Sequence, residues 1–459
     1  MSVPTTAPKF STAKALQKNT IAGAIGVLVH WFDWAIYAYL ASTISHVFFP
    51  EQSDTAALLS VFAIFAVAFF VRPLGSVIFG HIGDTLGRKR TLSLVIIMMA
   101  AGTLLIGLLP SYSTIGIWSP ILLVAARIIQ GIAAGGEFGS AAAFLAEYSP
   151  RHRRGFGTSW IEFGSVLGFL LASLVVAGMH MTITTDQTTA WGWRIPFLLT
   201  VPLAAIGLWI RLKIEDTPEF QVLQDQDAVP DAPIKEVFRQ NGKQFFQTIG
   251  IEIFMNCTFY VVMVYLLTYQ ETVAGIDSGV ASTLSTVASL IAILLIPLSG
   301  IFSDRIGRKP ILFTAGILLL VVAFPLFSLM KSGAVAHSLL ATLGLAAPLA
   351  LILGTHSATV SELFPTRTRQ SGLSIAYSIA GAFFAGTLPY INTWLIYVTG
   401  NDMIPAYTLM VVAMIGLITV ATIPETKGIA LLHASDLKKA KSPSTQKTDL
   451  NGQRDPRLT

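Results

Sequence analysis

Apolar runs of about 20 residues recur along this chain from end to end, and each is long enough to cross a bilayer core of about 30 Å. Composition separates a membrane protein from a soluble helical solenoid with the same runs. Of 459 residues, 53% are hydrophobic and only 12% charged, with a mean hydropathy of +0.67. A soluble domain carries roughly a quarter charged residues. In hydrocarbon every backbone N–H and C=O must find its partner inside the protein, which an α-helix achieves within one segment. The chain is therefore expected to be an all-α polytopic membrane protein.

Twelve transmembrane helices are expected, at about 21–44, 57–82, 91–109, 118–147, 157–180, 193–211, 244–270, 279–302, 311–330, 337–361, 371–398 and 404–424. The first run follows the polar stretch MSVPTTAPKFSTAKALQKNT and has no A-x-A cleavage site, so it reads as a retained helix. The two tails and the alternate loops hold 26 of the 30 Lys and Arg. Those loops are Arg88/Lys89/Arg90, Arg151/Arg153/Arg154, residues 211–243, Arg305/Arg308/Lys309 and Arg367/Arg369. The opposite loops hold only Lys331, while Arg72, Arg127 and Arg194 fall within or at the ends of helices. This asymmetry places both termini in the cytoplasm of a plasma membrane, expected to be a bacterial cytoplasmic membrane. The net charge of +5 is then a topology signal and calls for no nucleic acid. The one cysteine, Cys257, excludes an intrachain disulfide.

The long loop after the sixth span divides the chain six plus six. The expected organisation is a cytoplasmic tail (1–20), a six-helix bundle (21–211), a linker (212–243), a second six-helix bundle (244–424) and a disordered polar tail (425–459). Pro218, Pro230 and Pro233 cut the linker into short amphipathic pieces, expected to lie against the bilayer surface. The halves repeat each other. GHIGDTLGRKR follows span two and GIFSDRIGRKP follows span eight, with Asp84 and Asp304 220 residues apart. A weaker echo is EYSPRHRRG from Glu147 and ELFPTRTRQSG from Glu362. Gly80 permits close helix approach, Gly87 and Gly307 allow a turn most residues disfavour, and Asp84/Arg88 and Asp304/Arg305/Arg308 can make and break ion pairs. Two such copies suggest a latch between two bundles that move around a central site.

The paired GxxxDxxGRK loops are those of the major facilitator superfamily, which this sequence resembles over about residues 20–425. Thr85 stands in the first copy where a basic residue is usual. RPLG at Arg72, PSYSTIGIWSPILL, RIIQGIAAGGEF, EYSPRHRRGF and WGWRIPF narrow the resemblance to the metabolite:proton symporter family, and within it to the branch of proline/glycine betaine transporters. The resemblance implies two six-helix bundles in the major facilitator fold and proton-coupled transport of proline, betaines, ectoine or organic acids. His30 replaces the acid the family often carries three residues before the first-helix aspartate, and the tail lacks the heptads of some osmosensing members.

VLVHWFDWAIY, from Val27, places a histidine and an aspartate in the first span. Asp33 lies about 18 Å in from the cytoplasmic end, and Arg127 on span four lies about 12 Å in from the other face. In a core of about 30 Å these depths coincide. An Asp33–Arg127 pair would lower the cost of burying both charges, and ionisable groups at such depth point to function. Asp33 is the candidate proton carrier. His30, one turn earlier, fits either a proton relay or a packing histidine. Glu137, in GGEFG, fits a coupling acid, an inner gate or a structural hydrogen bonder. Glu252 lies about 10 Å from the cytoplasmic face, within reach of water. Arg127 and Gln130 suit a substrate carboxylate, and Trp31, Trp34, Tyr37 and Tyr260 suit a substituted ammonium through cation–π attraction. An organic dianion would want a second cation, with Arg72 or His356 as candidates.

The function expected is secondary active transport: proton symport of a compatible-solute zwitterion by alternating access. Alternatives are proton symport of an organic acid such as 2-oxoglutarate, citrate or shikimate, or an uncoupled facilitator. PETKG at 424–428 resembles the end of sugar facilitators, yet NCTFYVVMVY lacks their glutamine signature. No GxxxxGK[ST] loop, nucleophile motif or metal-ligand spacing occurs, so neither an enzyme nor an ATP-driven pump is expected, and no metal or cofactor. The expected partners are the small-molecule substrate, protons and the lipid bilayer, with no partner protein required. A cysteine replacing Asp231 is expected to resist membrane-impermeant thiol reagents added to intact cells. Labelling from outside would overturn the orientation.

Overall fold

The computed structural model describes residues 13–213, 220–221, 224 and 233–431. Eleven helices among the described residues are long and apolar enough to cross a membrane. They are preceded by α1 (Ala13–Tyr39). In the first half follow α2 (Asp54–Phe70 continued by Arg72–Leu86), α3 (Arg88–Leu108), α4 (Trp118–Tyr148), α5 (Arg154–Thr182) and α6 (Arg194–Leu212). In the second half come α7 (Gly242–Thr272), α8 (Ser278–Ile306), α9 (Arg308–Met330), α10 (Val335–Leu363), α11 (Arg369–Thr399) and α12 (Ile404–Thr422). Expected spans and observed helices agree in number and order, and differ at their ends. The first helix stops at Tyr39, a separate helix runs from Ala41 to Phe48, and the second begins at Asp54.

Within the first half α1 packs on α5, while α2 and α3 both pack on α4. Within the second, α8 and α9 both pack on α10 and α12 packs on α9. The halves meet along α5 with α8 and along α2 with α11. Leu94, Ile97, Leu294, Val321 and Val411 are exposed on the outer faces, where lipid would cover them.

Three features aim the interior side chains. Pro73 has no N–H to give the Phe69 carbonyl, and α2 breaks at Val71 there, turning Phe69 and Arg72 inward. A π turn over Tyr260–Tyr265 interrupts α7, and another over Gly381–Ala385 interrupts α11. Such turns re-aim side chains and are frequent at functional sites. Finally, glycines bring backbones into contact. A Cβ on Gly75 would lie 1.8 Å from the Ile132 carbonyl oxygen, and one on Gly135 2.1 Å from that of Arg72, so α2 and α4 cross without side chains between them.

In the linker, a helix over Pro233–Gln240 packs against α2, α7 and α11, with Pro233 and Val237 buried and Phe238 exposed. One expectation about the connecting segments needs correction. The tail does not begin free at 425. Glu425 accepts from the backbone N–H groups of Arg308 and Lys309 at 2.9 and 3.1 Å, and Thr426 donates to Glu362 at 2.7 Å. Of the expected tails over 1–20 and 425–459, residues 1–12 and 432–459 lie outside the described residues, as does most of the first part of the 212–243 linker, while residues 13–20 belong to α1.

Overpacking a tight crossing costs about 1–3 kcal/mol. Gly75→Ala is expected to lower the thermal unfolding midpoint of the detergent-purified protein by several degrees. Gly178→Ala, where an added Cβ meets nothing within 4 Å, is expected to leave it unchanged.

Candidate functional site

The middle of the first half holds a closed polar cluster. Asp33 of α1 and Arg127 of α4 are fully buried, with Arg127 Nη1 4.0 Å from Asp33 Oδ2. That distance is long for a hydrogen bond, and Gln130 bridges it. Its Nε2 donates to Asp33 Oδ2 at 2.7 Å and to Thr103 Oγ1 at 2.9 Å, while its Oε1 accepts from Arg127 Nη1 at 2.8 Å. The Arg127 guanidinium lies 3.7 Å from the centre of the Tyr37 ring, and the Tyr37 hydroxyl donates to the Val61 carbonyl. Asp33 and Arg127 thus meet as the depth argument expects, with Gln130 and Tyr37 against the same guanidinium. Asp33 Oδ1 has no hydrogen-bond partner.

Trp34 joins this cluster to a second guanidinium. Arg72 lies 4.1 Å from the Trp34 ring centre and 4.2 Å from that of Phe69; Arg127 lies 5.2 Å from Trp34. His30 stacks on Trp34 at 5.8 Å and meets Trp31 edge-on at 5.3 Å, and its Nδ1 has no partner. Aromatic contacts then cross to the second half: Trp31 to Phe259 at 5.6 Å and Phe69 to Tyr260 at 5.9 Å. A small cleft opens between the halves, bounded by His30, Trp31, Glu137, Phe138, Ser165 and Tyr377.

Glu137 and His356 sit in other company. Glu137 accepts from Arg211 Nη2 at 3.0 Å, and Arg211 Nη1 also donates to the Leu92 carbonyl, a tie within the first half. His356 Nε2 lies 3.1 Å from Glu162 Oε1 of the other half, and its Nδ1 lies 3.7 Å from Glu252 Oε1. Phe138 stacks on both His356 and Tyr377. Glu252 is fully buried, against the expectation that water reaches it. Glu162, Tyr377 and Phe138 were not picked out in the sequence. Glu162 stands in an apolar run as Asp33 does, but Arg153 and Arg154 lie only nine and eight residues before it, so it does not stand out as an uncompensated acid. Tyr377 and Phe138 carried no signal beyond being aromatic.

At the end of the molecule carrying the basic loops, the two halves are locked together twice. The Asp84 carboxylate accepts from the backbone N–H groups of Gln370 and Ser371 at 3.2 and 2.8 Å, in the first turn of α11. Asp304 does the same to Gly155 and Phe156, both at 2.8 Å, in the first turn of α5. Each carboxylate therefore occupies the positive end of a helix of the other half. Arg88 pairs with Asp84 and Glu147, and Arg308 with Asp304 and Glu362, each at 2.8–3.2 Å. Glu147 and Glu362 then bind across, to Arg369 and Arg154. Gly155 and Gly300 press their backbones together beneath the second lock, and Gly80 lies against Ser371 beneath the first. Gly87 and Gly307 carry φ of 105° and 114°, a turn a Cβ would strain. Arg305 is exposed and enters only through its carbonyl, which accepts from Lys427. Thr85, in the corresponding position, bonds back to the His81 carbonyl, so its lack of charge removes no contact from the lock.

The sequence profile of the Major Facilitator Superfamily matches residues 23–385 and again 254–445. The chain belongs to the major facilitator superfamily. It is 38% identical over 443 residues to the proline/betaine transporter of Escherichia coli K12, covering 93% of this chain and 88% of the relative. It is 38% identical over 441 residues to the glycine betaine/proline/ectoine/pipecolic acid transporter OusA of Dickeya dadantii 3937, covering 93% and 87%. Among solved structures, the proton:xylose symporter XylE bound to 6-bromo-6-deoxy-D-glucose superposes with a TM-score of 0.77 at 19% identity, over 94% of this chain and 99% of that one. This major facilitator protein is a multi-pass membrane transporter and not an enzyme.

Asp304→Asn weakens one lock without touching the central cluster. Spin labels at the exposed positions His152 and Arg305 are expected to move apart in this variant. Maximal transport rate should fall while substrate affinity stays within a few-fold. A large affinity loss at an unchanged maximal rate would count against the lock.

Proposed function

We propose that this transporter is a proton-coupled symporter for a compatible-solute zwitterion of the proline, glycine betaine or ectoine type. Both termini and the locked end face the cytoplasm, on the strength of the basic-residue asymmetry. The observation that carries the coupling is Asp33, a fully buried carboxylate whose ion pair is stretched to 4.0 Å and whose second oxygen has no partner. Removal from water favours the neutral acid, while the guanidinium beside it favours the carboxylate. A bound anionic group nearby would weaken the hold of Arg127 on Asp33 and help the proton on. The substrate preference is supported by the relatives' names and by the aromatic surroundings of both guanidinium groups.

Transport then alternates between the locked arrangement and one with the two locks open. When they open, water at the cytoplasmic face hydrates the freed charges, which limits the cost of breaking buried pairs. The Glu162–His356–Glu252 cluster spans the same interface and is the next candidate proton site.

The test uses purified protein in proteoliposomes with labelled glycine betaine and proline. Asp33→Asn is expected to abolish uphill, proton-driven uptake while retaining downhill exchange. If protons still enter with substrate at the wild-type ratio, Asp33 is structural and coupling lies elsewhere. Saturable uptake of citrate, 2-oxoglutarate or shikimate, with none of the zwitterions, would favour the organic-acid alternative.

A further inference from the structure

Among the described residues seven arginines are fully buried: Arg72, Arg88, Arg127, Arg154, Arg211, Arg308 and Arg369. Six have a carboxylate oxygen within 4.0 Å. Arg72 is the exception, with no carboxylate partner among the described residues. Its Nε and Nη2 are buried without a hydrogen-bond partner, and only the Trp34 and Phe69 rings cover its face. An uncompensated buried guanidinium is costly, and its unfilled donors are the mark of a group waiting for an anion.

Opposite it, in the second half, Tyr260 at the start of the α7 π turn also has a buried hydroxyl without a partner. Phe69 touches both, and Tyr260 and Tyr377 lie within electrostatic reach of the Arg72 charge. Tyr377 in turn forms a wall of the cleft bounded by Trp31, Phe138 and His30.

We propose that Arg72, with the Tyr260 hydroxyl, is the receptor for the substrate carboxylate, and that the narrow cleft beside Trp31 and Tyr377 widens to receive the substituted ammonium group of the same molecule. This assignment rests on the zwitterion reading above and deepens it. The charge balance at the site supports it. Asp33 already compensates Arg127, so the two guanidinium groups beside Trp34 leave one positive charge unbalanced. One carboxylate neutralises that charge. The ammonium end needs no acid, because aromatic faces attract a quaternary ammonium directly. A guanidinium fork and a tyrosine from opposite halves, both bonded to one carboxylate, also draw the halves together, so occupancy and closure are one event.

Equilibrium binding of glycine betaine, and of choline as the same ammonium without a carboxylate, is measured on detergent-purified wild type, Arg72→Gln, Arg72→Lys and Tyr260→Phe. Loss of a charged, bidentate contact is expected to weaken glycine betaine roughly 30- to 100-fold in Arg72→Gln. Arg72→Lys should weaken it about tenfold, since an ammonium keeps the charge and loses the fork. Tyr260→Phe should weaken it about fivefold. Choline binding, weak in wild type, should change little in any of them, so that selectivity for betaine over choline collapses. Thermal unfolding of each variant reports folding. Should Arg72→Gln fail to fold, Arg72→Lys and Tyr260→Phe carry the test. Wild-type betaine affinity in the folded Arg72 variants overturns this assignment and leaves the zwitterion function standing. A wild type that binds dicarboxylates and no zwitterion overturns both.

Discussion

A guanidinium that cannot reach water must be answered from inside the protein, and this constraint organises the structure. The seven buried arginines fall into groups by where their answer comes from. Arg127 and Arg211 pair with Asp33 and Glu137 of their own half, on contacts that rigid-body motion of the halves leaves intact. Arg154 and Arg369 pair across the interface, so each motion must break them. Breaking a buried pair by removing one partner costs about 3–5 kcal/mol. Pairs of this strength can switch only where water replaces the lost partner, which accounts for their position at the basic end. Arg72 is answered by no carboxylate among the described residues, and the carboxylate proposed for it would come from the ligand.

The two locks are copies, and their supports are copies as well. Each half is followed by a segment that folds back under its own loop motif. After α6, Phe220 lies over the Arg88 guanidinium at 5.0 Å and the Pro233–Gln240 helix packs beneath α2. After α12, Glu425 caps the start of α9 and Thr426 bonds to Glu362. These segments brace the ion pairs on the side open to solvent, where a surface salt bridge alone would contribute at most about 1 kcal/mol.

Much of this was legible in the sequence. Run lengths and charge asymmetry gave the helices, and the paired GxxxDxxGRK loops gave the division into halves. Depth along α1 and α4 is enough to bring Asp33 to Arg127. The echo from Glu147 and Glu362 was visible as a repeat, but not that these acids tie each lock together. That requires knowing which helix starts face which loops. The roles open to Glu137 could not be separated in the sequence, because its partner, Arg211, is 74 residues away and no local spacing links them. Glu162 escaped because its partner is a histidine on another half. Arg72 is visible in the sequence as a cation within a helix, yet its lack of a carboxylate partner among the described residues exists only in three dimensions.

Helix rigidity connects the site to the locks. Arg72 and Asp84 stand on one continuous stretch of α2, 12 residues and about 18 Å apart. Tyr377 and Ser371 stand on α11, six residues and about 9 Å apart. The pair of helices that faces the proposed carboxylate and cleft is therefore the pair whose ends Asp84 binds together. Between the two levels, α2 and α11 are in direct contact through Gly80 against Ser371, and Gln370 donates to the Phe79 carbonyl. A helix pair joined this closely cannot open at one level and keep its geometry at the other. A ligand that spans Arg72 and the second half stabilises the closed pair, and loss of the Asp84 lock at the far end loosens the same pair around the ligand. Coupling between substrate and gate then needs no relay of side chains, because two stiff helices carry both contacts.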